Sequence, residues 1–107
     1  MVLKIYLAED DEAAQEVFLT SDQLRPSDVT ERLERNFETG ELPFSYRLFS
    51  VVSHYGSSTS GHYKADVFKR DRNCWYIVDD HKAERTTERE VRSKRKSCAY
   101  IYFYLSR

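Results

Sequence analysis

Cysteine is scarce in this chain: Cys74 and Cys98 are its only two. They have neither the paired spacing of a zinc site nor the density of a secreted disulfide scaffold, so no metal centre is expected and reduced thiols are. Glycine and proline are also few, at three and two residues, which excludes collagen-like and linker-like composition. No internal repeat is visible. No stretch approaches the roughly 20 apolar residues of a membrane-spanning helix. The N-terminus lacks the basic start and apolar run of a secretory signal. These absences lead to the expectation of a soluble chain, cytoplasmic or nuclear, with no cofactor and no membrane contact. An excess of one charge is missing too. Seventeen Lys and Arg stand against eighteen Asp and Glu, so a generic polyanion binder, nucleic-acid binders included, is excluded.

What is present is unevenly divided. The 107 residues are enough for one domain. Residues 1–43 hold four basic and eleven acidic side chains, and residues 44–107 hold thirteen and seven. Of the fifteen aromatic residues, twelve follow residue 43. The second segment is therefore where a core can be built. The first reads as an acidic strand and helix segment of unassigned role.

Residues 2–7 form a short apolar run of strand type. The cluster Glu9-Asp10-Asp11-Glu12 after it resembles the opening of a response-regulator receiver domain, where an acidic pair holds a metal. A receiver then needs a strand ending in a phosphate-accepting Asp, and this chain reads Val51-Val52-Ser53-His54 instead. The reading kept is a solvated acidic helix start, favoured by the helix dipole, with helix-compatible sequence to about Leu19. Ser27 after Pro26 is a plausible N-cap for a second helix. Val29, Leu33 and Phe37 recur along it at intervals of four, and Gly40 marks its stop.

Beyond Pro43 the period changes to two. Tyr46, Leu48, Ser50, Val52 and His54 alternate with Arg47, Phe49, Val51, Ser53 and Tyr55, which predicts a strand of about nine residues. The small polar loop Gly56-Ser57-Ser58-Thr59-Ser60-Gly61 leads into a second strand over 62–68, so the two read as a hairpin. A charged turn follows, then a third strand over 74–78 ending in Asp79-Asp80. Thr87 and Glu90 have capping-box spacing, which predicts a helix from 88 to about 94. The basic run over 92–96 reads as a solvated helix end or, alternatively, a nuclear-localisation patch. Residues 98–105 are dense in Tyr, Phe and Ile and read as a central strand buried on both faces. The fold class is α+β: an antiparallel sheet of about four to five strands with flanking helices.

Three features converge in the second segment: a strand ending in His54, a Ser/Gly loop delivering His62, and a strand ending in Asp79-Asp80. An imidazole at a sheet edge, its tautomer set by a carboxylate from the neighbouring strand, is the base and orienter of a nucleophilic triad. A surface hairpin with solvated charges is the alternative on these residues alone.

Five stretches carry a resemblance: Tyr46-Arg47-Leu48-Phe49-Ser50-Val51-Val52-Ser53-His54, the glycine-bounded loop, Gly61-His62-Tyr63, Trp75-Tyr76-Ile77-Val78-Asp79-Asp80 and Ala99-Tyr100-Ile101-Tyr102-Phe103-Tyr104. In order and spacing they resemble the consecutive C-terminal motifs of ubiquitin-specific proteases, over residues 44–105. The resemblance implies the sheet-bearing half of a papain-like cysteine peptidase that cleaves after the ubiquitin C-terminal glycine. It makes His62 the general base, Asp79 the residue that orients it, and Asp80 a second acid supporting or partly replacing Asp79. It makes the 56–61 loop the cover of the cleft, with His54, Gly61 and Tyr63 against the extended ubiquitin tail. The implied partners are ubiquitin, ubiquitinated proteins and the missing N-terminal part of the catalytic domain.

The family's nucleophilic Cys motif, its oxyanion-hole residue and its zinc-binding CxxC pairs are absent from this sequence. Cys74 falls between His62 and Asp79 on a predicted strand, and Cys98 falls in the predicted central strand. The chain alone is therefore expected to be inactive. Three explanations stay open: a C-terminal part of an active deubiquitinase, an inactive ubiquitin-binding module, and a structural relic. The wall that normally packs on the missing lobe is expected to leave an apolar patch.

Overall fold

The computed structural model describes residues 3–9, 15–20, 24–55, 62–79, 81–94 and 99–107. In chain order these form β1 (Leu3–Ala8), β2 (Gln15–Thr20), α1 (Pro26–Glu38), β3 (Tyr46–Tyr55), β4 (His62–Lys69), β5 (Cys74–Asp79), β6 (Lys82–Thr86), α2 (Glu88–Lys94) and β7 (Ala99–Ser106). The strands make one seven-stranded sheet in the order β2-β1-β7-β3-β4-β5-β6. The β1–β7 pairing is parallel and the other five are antiparallel. The fold is α+β as expected, with two strands more than the sequence suggested.

Those two strands are corrections. Residues 15–20, read as helix-compatible, pair with β1 as an antiparallel edge strand. Tertiary pairing overrides local propensity there. The second, β6, lacks apolar alternation and its first four residues are exposed. It is an edge strand held by backbone pairing to β5.

The acidic N-terminal segment and the aromatic C-terminal one share a single core. Leu3, Ile5 and Leu7 of β1 join Val29 and Leu33 of α1, Val91 of α2, and Tyr102 and Tyr104 of β7. The parallel register sets Ile5 beside Tyr102 and Leu7 beside Tyr104, so their side chains share the face that α1 covers. Each such side chain contributes about 1.5–3 kcal/mol on burial. Phe37, the third member of the expected apolar stripe, is 43% exposed.

The start of α1 is fastened to β7 by hydroxyl groups. Tyr102 donates to the Leu24 carbonyl, and Tyr104 donates to the Pro26 carbonyl at 3.0 Å. Thr30 Oγ1 reaches the same carbonyl at 2.7 Å. The N-cap is Arg25 rather than Ser27. Proline's fixed φ suits the first helical position, which places Pro26 there and Asp28 third. The Asp28 carboxylate accepts the Arg25 backbone N–H at 3.0 Å. Gly40 ends the helix with φ 84°, as a glycine stop requires.

In β3 the simple alternation fails. The register against β7 shifts between Leu48 and Ser50 and again between Val52 and Ser53, and the first of these changes the phase. Tyr46 and Leu48 are buried before it, Val51 and Ser53 after it. The two sets predicted from period two are therefore mixed. The opposite face of the sheet carries Tyr6 stacked on Phe103 at 5.2 Å, with Ile101, Val52 and Val67, all half-buried. So β7 is buried on one face only, and an apolar wall lies on the other.

Candidate active site

The site lies where β4 begins and β5 ends. In the β3–β4 ladder His54 faces Tyr63, and in the β4–β5 ladder Ala65 faces Val78. Continuing the second register sets Lys64 opposite Asp79. Because side chains alternate, His62 and Lys64 share one face of β4, and Trp75, Ile77 and Asp79 share that face of β5. The turn over residues 70–73, closed with Asn73 at φ 51°, holds the two strands in this register.

His62 Nε2 is bonded to Asp79 Oδ1. The second carboxylate oxygen lies 3.6 Å from Lys64 Nζ. The hydrogen bond from His62 holds the Asp79 carboxyl below the usual carboxylate range; desolvation opposes it, and the charges of His62 and Lys64 add smaller lowering effects. Asp79 is therefore ionised at neutral pH. With Nε2 engaged, Nδ1 is the imidazole atom left to take a proton from a nucleophile. The side chains are 42% and 35% exposed, so the pair is open to a partner from outside.

His54 and Tyr63 also meet, with ring centroids 4.7 Å apart in an edge-on arrangement. Alternation puts Tyr63 on the face opposite His62, and the residue is 56% exposed. The structure thus forms two couples at one end of the sheet, His62 with Asp79 and His54 with Tyr63. Gly61, the 56–61 loop, Asp80, Cys98 and residues 95–96 of the basic run lie outside the described residues. Cys74 is a half-buried free thiol at the far end of β5 from Asp79, about 17 Å along a strand at 3.4 Å per residue. Its side chain also alternates to the other face, so it does not serve His62.

Lys64 is the site residue that sequence reasoning missed. The signal was there in principle: two residues from His62 along a strand means the same face. Reading it required the β4–β5 register, which the composition of the strands does not specify.

Comparison with known proteins bears on this geometry. Residues 3–104 match the family described as Ubiquitin carboxyl-terminal hydrolase. Ubiquitin carboxyl-terminal hydrolase 37 of Homo sapiens is 41% identical over 99 residues, covering 92% of this chain and 10% of that protein. The protein of the same name in Gallus gallus is 50% identical over 76 residues, covering 70% and 8%. Ubiquitin carboxyl-terminal hydrolase 29 of Homo sapiens is 39% identical over 74 residues, covering 68% and 8%. The chain spans about a tenth of the length of these curated relatives. The family match includes the acidic segment, where no motif was visible.

Proposed function

The chain belongs to the ubiquitin carboxyl-terminal hydrolase family, the ubiquitin-specific proteases, and from that premise we propose that it supplies the general base and its orienter to a cysteine-type deubiquitinase. The observation that carries this reading is the bond between His62 Nε2 and Asp79. In the proposed reaction Asp79 fixes the ring so that Nδ1 meets the thiol of a nucleophilic Cys brought by the rest of a longer protein. His62 takes the thiol proton as the sulfur attacks the carbonyl carbon of the ubiquitin C-terminal glycine. The imidazolium, stabilised by the Asp79 carboxylate, then protonates the departing lysine amine. A water deprotonated by the same imidazole releases ubiquitin from the thioester. Asp80 is proposed as the supporting acid beside Asp79.

The exposed Tyr63 ring, backed by His54, offers an aromatic surface at the same end of the sheet for the extended ubiquitin tail. Gly61 adds a position where that tail can approach the backbone closely. The substrates on this reading are ubiquitin conjugates.

The test is cleavage of a ubiquitin–lysine isopeptide by the whole protein carrying this segment. His62→Ala should lower kcat about a thousandfold or more while ubiquitin affinity changes little, as expected for a base. The 107-residue chain alone should form no adduct with a thiol-directed ubiquitin probe. A loss under about tenfold for His62→Ala removes it from the mechanism. Efficient labelling of Cys74 or Cys98 overturns the assignment of the nucleophile to another segment.

A further inference from the structure

We infer that Lys64 is a positioning residue for the His62–Asp79 pair, an inference that rests on the deubiquitinase reading and adds a residue to it. Asp79 divides its carboxylate between two partners: Oδ1 meets His62 Nε2, and Oδ2 lies 3.6 Å from Lys64 Nζ. The arrangement follows from the backbone. The register that pairs Ala65 with Val78 places Lys64 directly across from Asp79, on the face that His62 shares. Lys64 is not a freely solvated lysine, since its side chain is 32% exposed, close to the 35% of Asp79.

At 3.6 Å the contact is an ion pair rather than a hydrogen bond, so Lys64 acts through its charge. A carboxylate held through one oxygen can swing about its Cβ–Cγ bond, and each swing loosens the imidazole. Drawing the second oxygen towards an ammonium opposes that motion and keeps Oδ1 aimed at Nε2. The same charge favours the ionised carboxylate. Among the described residues the other charged groups on this face nearby are Asp66, buried two residues along β4 from Lys64, and on β6 Lys82, directly across from Asp79, and Glu84 beyond it. Lys82 and Glu84 are exposed, as is His81 in the turn. Among the described residues, Lys64 is therefore the cation of this face that the fold brings within ion-pair distance of the orienting carboxylate.

The experiment measures kcat and KM for a ubiquitin isopeptide, from acid to neutral pH, in the whole protein carrying Lys64→Met, Lys64→Arg or Asp79→Asn. For a partly exposed ion pair, Lys64→Met should lower kcat about two- to fivefold with KM unchanged. It should also move the acid limb of the kcat profile to higher pH, because removing a cation beside the pair lets the pair take up protons sooner. Lys64→Arg keeps the charge and should restore kcat to within about twofold. If Asp79→Asn is damaging while Lys64→Met leaves kcat and the acid limb in place, Lys64 is a bystander and the inference fails. A rise in KM at constant kcat also overturns it, because Lys64 would then touch substrate. If Asp79→Asn itself leaves kcat unchanged, the base-and-orienter reading falls, and the role of Lys64 falls with it.

Discussion

The strands under α1 and the strands that carry the site differ in how far water reaches them. Ile5, Val51 and Tyr102 are at most 1% exposed in the centre of the sheet, and the β7 tyrosines tie the helix start down through their hydroxyl groups. Towards β4, β5 and β6 the cover thins: His62, Lys64 and Asp79 are each about one-third to two-fifths exposed, and most of β6 is open. One region resists water and the other admits it. Stability and chemistry are therefore carried by different residues of one sheet, and substitutions should separate them.

The largest expected effect is in the open region. Asp79→Asn keeps the shape of the side chain but removes the charge that stabilises the imidazolium, so kcat of the whole protein should fall about a hundredfold or more. Asp80→Asn should cost far less, because Asp79 is the carboxylate bonded to His62. A reversed ranking would put the orienter at Asp80. Neither change should move the unfolding midpoint much.

Ile5→Ala should show the converse. Removing a side chain that is 1% exposed between Tyr102 and the helix costs about 2–5 kcal/mol of unfolding free energy, read by urea denaturation. Were Ile5→Ala to cost as little as a surface change, the shared core of the two segments would be in doubt.

Tyr104→Phe is a smaller perturbation, about 1 kcal/mol, since it removes one hydroxyl bonded to Pro26 and in contact with Thr30. It also has a pH signature. Burial pushes the Tyr104 hydroxyl well above its ordinary value. The folded state therefore holds that proton more tightly than the unfolded one. Its contribution is fully present below about pH 10 and is lost as pH rises through the folded value. Tyr104→Phe should shallow the alkaline loss of stability, to which Tyr46, raised by burial and then by Glu9, also contributes. At acid pH the sign reverses for Asp79. Its folded value lies below its unfolded one, so its ion pairs stabilise above about pH 4 and fade as pH drops through the folded value.

The same division explains what was legible in the sequence. Val29 and Leu33 mark a helix because their spacing matches its period, and the turn before Cys74 ends where Asn73 adopts a positive φ. The meeting of His62 with Asp79 was readable because the two strands are joined by a short turn, so their pairing is local. Nothing local announces that β1 lies parallel to β7, nearly a hundred residues on. Lys82 to Thr86 was invisible as a strand because an exposed edge needs no apolar alternation. Residues 15–20 looked helical because their edge pairing is set by β1 and not by their own propensity. Arg25 was passed over as a cap because its role falls to Asp28 reaching back to its backbone N–H. Lys64 was missed for the same reason as the β4–β5 register: it is a property of two strands together.

The most direct test of the central claim is the tautomer of His62, read from long-range nitrogen–proton correlations in NMR spectra of this chain. A neutral imidazole held by Asp79 carries its proton on Nε2 and leaves Nδ1 bare. That is the result expected, together with loss of the preference in Asp79→Asn. A proton found on Nδ1, or a mixture of tautomers indifferent to Asp79→Asn, would contradict it.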